Sequence, residues 1–208
     1  MPTRLQLAVF LAICAIVWTV LLGLQGSWSL AILNSTLGVV GPLMLLFLLF
    51  DTWLWRFKWL HPWLVPNINI DGTWKGELVS NFRGEDGATI PPIEVFLVVR
   101  QGFFGISLRL LTRESESESL TAQITHASDG PQTVIGAYRN TPIIAHRDRS
   151  QIHYGALRLA IRGGNPATRL EGEYWTDRRT QGSLSFSQRA RTHHDDFLAA
   201  SSEAWEAA

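Results

Sequence analysis

The sequence predicts a membrane-anchored all-β protein: an N-terminal two-helix transmembrane hairpin followed by a closed eight-stranded antiparallel up-and-down β-barrel of lipocalin-like form. Two observations carry this. Leu5 to Phe50 is a run of 46 residues without Asp, Glu, Lys, Arg or His. After about Pro66, apolar and polar residues alternate with a period of two, broken by glycine-containing turns and never by a helix-period segment.

The apolar block comes first. A bilayer core needs roughly 20 apolar residues at about 1.5 Å rise per residue, so the block accommodates two spans, residues 5–24 and 30–50, joined by Gln25-Gly26-Ser27. A cleaved signal peptide carries an apolar region of about 7 to 15 residues, and here apolarity resumes after the turn, so the hairpin is expected to be retained. Arg4 precedes the first span, Arg56 and Lys58 follow the second, and the turn is uncharged, which places both termini and the barrel in the cytoplasm. Cys14, the single cysteine, lies within the first span and the barrel region has none, as expected where disulfides do not persist. Asn34, Ser35 and Thr36 are either satisfied within their own helix or make contacts between helices, and Gly38 and Gly41 permit close approach.

Residues 52–64 hold four of the nine tryptophans, interleaved with Arg56, Lys58 and His61. Indoles favour the headgroup level and basic stems reach out from it, so Trp53, Trp55, Arg56, Lys58 and Trp59 are expected to anchor an interfacial collar, which either only anchors or also couples barrel to membrane. The organisation is therefore residues 1–51 as hairpin, 52–66 as collar, 67–190 as barrel, and 191–208 as a tail, weakly helical or disordered.

The strands fall at about 72–82, 93–100, 104–112, 117–126, 133–140, 152–161, 169–176 and 182–187. An open sheet of this order would expose two edges. Closure removes both and leaves an interior that can hold one small ligand. Alternation gives the facing. Glu171 and Glu173 mark solvent, so Leu170, Gly172, Tyr174 and Thr176 point inward. Trp74, Gly76 and Leu78, then Val134, Gly136, Tyr138 and Asn140, then Gly155, Leu157, Leu159 and Ile161 are inward in the same way, with His153 in phase. Glu114, Glu116 and Glu118 read as a solvated outer rim.

Net charge is zero, with 18 Lys or Arg against 18 Asp or Glu, so the basic face of a DNA- or RNA-polymer binder is not expected. Beyond residue 66 every basic residue except Lys75 is arginine, which reflects either a GC-rich genome or guanidinium recognition of phosphate. No nucleophile elbow, phosphate-cradling glycine loop, zinc spacing or carboxylate pair occurs, so binding rather than catalysis is expected, with no catalytic residue, cofactor or metal assigned. His193-His194-Asp195-Asp196 is a solvated polar run or, less simply, a metal site.

Two segments suit a ligand. Tyr138-Arg139-Asn140-Thr141-Pro142 offers a stacking face and an amide that can read a base edge. Tyr174-Trp175-Thr176-Asp177-Arg178-Arg179-Thr180-Gln181-Gly182 adds aromatics, hydroxyls and two guanidinium groups, although a plain polar hairpin would also read this way. Together with the two spans, the collar and Gly72-Thr73-Trp74-Lys75-Gly76, these segments resemble the membrane-anchored β-barrel effectors of bacterial CBASS antiphage systems, the CD-NTase-associated two-transmembrane, β-strand-rich family. The resemblance covers the chain up to about Arg191.

What it implies is a barrel that binds a cyclic dinucleotide made by a partner CD-NTase, a homo-oligomer formed through the spans, and disruption of the inner membrane with death of the infected cell. It implies multi-pass residence in the inner membrane, contact with membrane lipids, and Tyr138, Asn140, Tyr174, Thr176, Arg178 and Thr180 as the nucleotide-contacting set. His153 is a weaker addition, and Arg109 faces outward and is left out. The rival reading is a membrane-tethered, lipocalin-like carrier of an apolar small molecule, which the apolar inward set also suits.

Overall fold

The structure is a computed structural model describing residues 12–16, 19–20, 23, 31–61, 63–82, 88–127 and 129–205. The chain divides into two compact units, residues 1–66 with 102–104, and residues 67–101 with 105–208.

In the first unit residues 12–16, 19–20 and 23 are helical, and helix α1 runs over Ala31–Thr52. The rest of the expected first span and the turn Gln25-Gly26-Ser27 lie outside the described residues, as do the side chains of Asn34, Ser35, Thr36 and Gly38. Among the residues described in full, no helix is long and apolar enough to cross a membrane; side chains of α1 are described only from position 41 onward. Beyond α1 the chain tightens into two 3₁₀ turns, Leu54–Arg56 and Lys58–Leu60, separated by Phe57 in an extended conformation.

That break re-aims one predicted collar residue. Trp55 is 1 % exposed, packed with Leu60, Leu64 and Val65 and flanked by Phe50 and Phe103, so it is a core side chain of this unit rather than an interfacial indole. Trp53 and Trp59 remain exposed, as do Arg56 and Lys58. Residues 102–104 belong to the same unit: the Asp51 carboxylate accepts the Phe104 N–H at 3.0 Å, Phe47 stacks on Phe104, and Phe50 meets Phe103 edge-on.

The second unit is the expected barrel. Strands β1 (Gly72–Ser80), β2 (Ile93–Gln101), β3 (Ile106–Leu111), β4 (Ser115–Thr125), β5 (Thr133–Pro142), β6 (His153–Arg162), β7 (Arg169–Thr176) and β8 (Gln181–Ala190) pair in chain order, and β1 pairs antiparallel with β8 to close the sheet. Two register shifts, at Ser119/Thr121 of β4 and at Lys75/Gly76 between β1 and β8, add the local bend that closure demands. The first makes the alternation skip at Leu120, which is left 64 % exposed while Ser117 before it and Ala122 after it both face the interior side.

One end of the barrel is sealed by residues 67–71, where side chains from elsewhere in this unit bond the backbone N–H groups of Ile68, Asn69 and Ile70. Gln101 Oε1 accepts from Ile70 N at 2.8 Å, Gln132 Oε1 accepts from Ile68 N at 2.9 Å, and the Trp74 indole donates to Ile70 O at 2.8 Å. Arg189 donates to the carbonyls of Asp71 and Asn69 and lies 5.2 Å over the Trp74 ring. Ile70, Trp74, Val99, Val134, Leu159, Ile161 and Leu170 fill the space behind this strap.

Of the two alternatives expected for the C-terminal tail, the described residues 191–205 take the helical one and are packed against the barrel. Residues 191–205 lie on the outside of β2 and β3 and include a short helix α2, Phe197–Ser201, capped by the Asp196 side chain. Phe197, Ala200 and Trp205 cover Phe96, Val98 and Leu111, three outward-facing residues that are thereby at most 2 % exposed. The run 95–99 of β2 is apolar at every position, and both of its faces are buried, the outer one under residues of the tail.

Candidate functional site

Opposite the sealed end, where β1, β3, β5 and β7 finish, the interior is hollow. A cavity of about 910 Å³ lies there, at the upper part of the roughly 300–1,000 Å³ range of small-molecule sites. Leu97, Leu108, Leu157 and Leu184 give it an apolar interior, and polar groups gather at its mouth. All six residues expected to bind a ligand, Tyr138, Asn140, Tyr174, Thr176, Arg178 and Thr180, line it.

Barrel closure brings them together from β5, β7 and the β7–β8 turn. Two glycines make slots for the aromatic rings. A Cβ on Gly155 would come within 2.5 Å of the Tyr138 hydroxyl, and one on Gly182 would sit 2.8 Å from the Tyr174 ring and 2.0 Å from Val79 O, so no larger residue fits either slot without displacing its neighbours. Asn140, buried, donates from its amide nitrogen to Ser115 Oγ at 3.0 Å and to Ser117 Oγ at 2.8 Å. Both amide hydrogens are thus committed, and the atom it offers the cavity is its carbonyl oxygen. In the turn, the Thr176 and Thr180 hydroxyls pair at 2.7 Å, Arg178 donates to Ser150 Oγ at 2.9 Å, and Arg179 takes φ 61°. That left-handed conformation costs a non-glycine residue about 1–2 kcal/mol.

The phenols are poised as donors. Burial pushes the Tyr138 hydroxyl far above the ordinary phenol range, with Tyr174 and Asp177 adding to the shift. Tyr174 is raised by burial as well, against a lowering influence from the Ser80 hydroxyl. Unfolded tyrosines ionise near pH 10 while these remain protonated, so the unfolded state gains by losing protons first. Stability is therefore full below about pH 10 and falls as pH rises beyond it. Urea unfolding between pH 8 and 11 is expected to show this decline, and Tyr138→Phe is expected to make it shallower; an unchanged slope would contradict the buried-phenol assignment.

Residues not singled out by their sequence complete the mouth. Ser115 and Ser117 hold Asn140; Arg113, Arg149 and His146 line the cavity. Glu114, expected on the solvated outer rim, instead lines the mouth and accepts from Arg149 at 2.6 Å. His153 lines the cavity too. Arg109 does not: it pairs with Glu116 at 3.1 Å and donates to the carbonyls of His194 and Asp195 on the outside. The His-His-Asp-Asp run serves to dock the tail, His193 meeting Asp71 at 3.1 Å and His194 meeting Glu203 at 3.0 Å. Among the described residues no group of three or more His, Cys, Asp or Glu is placed to hold a metal ion.

Residues 64–188 match the family model described as Cap15, cyclic dinucleotide receptor domain. Comparison with the curated proteins gives no match.

Proposed function

The chain belongs to the Cap15 cyclic dinucleotide receptor domain family, and from that membership we propose that its barrel is the sensor of a CBASS antiphage effector anchored in the inner membrane by the N-terminal hairpin. The observation that carries the reading is the cavity: an apolar interior beneath a mouth of phenols, hydroxyls, an oriented amide and a guanidinium, all within the matched stretch.

A cyclic dinucleotide presents two bases and two phosphodiesters. The leucine-lined interior receives the flat apolar faces of the bases, and Tyr138 and Tyr174 supply rings to stack on and protonated hydroxyls to donate. Asn140 accepts an N–H from a base edge through its carbonyl oxygen, since Ser115 and Ser117 hold its amide the other way round. Arg178 takes a phosphodiester by charge-assisted hydrogen bonds, assisted by the Thr176 and Thr180 hydroxyls. This is a ligand-sensing role with no chemical step, and the ligand is the product of a partner CD-NTase.

Occupied barrels favour an assembled state of the membrane hairpins, and the assembly disrupts the bilayer and kills the infected cell. A ligand drives assembly only by binding the assembled form more tightly, so ligand and assembly must be linked in both directions. Full-length protein in phosphatidylethanolamine/phosphatidylglycerol vesicles is expected to release trapped dye and to crosslink into oligomers when a cyclic dinucleotide is added. Leakage and crosslinking that ignore the ligand would contradict this reading.

A further inference from the structure

The tail that covers the barrel also reaches the cavity. Phe197, nine residues beyond the end of the family match, is seated edge-on against Phe96 at 5.2 Å and contributes to the cavity wall. The Arg113 guanidinium lies 5.8 Å over the Phe197 ring, and Arg113 lines the same mouth. Its neighbour Glu114 turns to Arg149 instead. Trp205 fixes the arrangement from behind, stacked on Phe96 at 5.4 Å with its indole donating to Ala200 O at 3.0 Å.

From this geometry we propose that the C-terminal strap is part of the receptor site: Phe197 positions Arg113 at the mouth as a second phosphodiester-binding cation beside Arg178. The inference rests on the cyclic dinucleotide reading and deepens it. A guanidinium held over an aromatic face keeps N–H donors open to a phosphate, with less side-chain freedom to lose on binding than a free arginine. Two guanidiniums then meet the two phosphodiesters of the ligand. Phe197 acts through Arg113 and is a positioning residue.

The test is calorimetric titration of the full chain in detergent with the cyclic dinucleotide that saturates the parent protein, at low and high salt, with melting temperatures recorded. Arg113→Ala is expected to weaken binding about 10-fold or more and to make it less salt-dependent. Phe197→Leu, which keeps an apolar group against Phe96 but removes the ring, is expected to weaken binding several-fold at little change in melting temperature. Leu198→Ala, on the exposed side of the same helix, is expected to bind as the parent does. Saturable binding by the parent with Arg113→Ala and Phe197→Leu both within twofold of it would overturn the strap's role and leave the cavity reading standing. Failure of the parent to bind any cyclic dinucleotide would bring down both.

Discussion

Trp74→Ala is expected to cost the barrel about 3–5 kcal/mol, the range for removing a fully buried tryptophan. The side chain is 0 % exposed and sits against the strap that seals the barrel, so its loss opens a cavity behind Ile70. It also strips the indole donor from Ile70 O and the ring from beneath Arg189. A buried carbonyl left without a donor adds about 1–3 kcal/mol of its own. Against a total stability of about 5–15 kcal/mol, that is enough to leave a large fraction of molecules unfolded. Denaturant unfolding of the full chain, followed by tryptophan fluorescence, reads the loss directly. A change below 1 kcal/mol would mean the strap is not closed on this residue.

The second large effect is on affinity alone. Arg178→Ala removes an exposed guanidinium whose described partner is the Ser150 hydroxyl, so the fold should not notice. Charge-assisted hydrogen bonds contribute about 1.5–3 kcal/mol, so cyclic dinucleotide binding is expected to weaken about 10- to 150-fold. Arg178→Lys is expected to recover little, because a point charge does not replace a bidentate fork. Unaltered affinity in Arg178→Ala would remove this turn from the site.

Much of this was readable from alternation because one barrel face meets solvent. Glu171 and Glu173 alternate with Leu170, Gly172 and Tyr174 so plainly that the facing of β7 follows from these five residues. The six mouth residues share a cavity because a closed sheet with this order leaves them no alternative end. Alternation failed where its premise failed. The outer face of β2 is buried under the tail, so Phe96 and Val98 carry no polar contrast with Val95 and Leu97. At Leu120 the bulge shifts the phase, and a strict period of two misplaces everything on one side of it. In the collar, two 3₁₀ turns follow α1 and carry Trp55 into the core of its unit.

The rest of the mouth was hidden for a different reason. Arg113, Glu114 and Arg149 come from two turns whose sequences read as ordinary polar connections, and they meet only because β3, β4, β5 and β6 end together. Gly155 and Gly182 looked like strand glycines; their role as ring slots appears only once Tyr138 and Tyr174 are seen against them.

The most direct test is which class of small molecule the cavity accepts. Calorimetric titration of the full chain with a panel of cyclic dinucleotides and, separately, with long-chain fatty acids decides it. Saturation by a cyclic dinucleotide at one ligand per barrel, abolished by Ser117→Trp at the mouth, is the predicted result. Saturation by the fatty acids alone would contradict it and make the protein a tethered carrier.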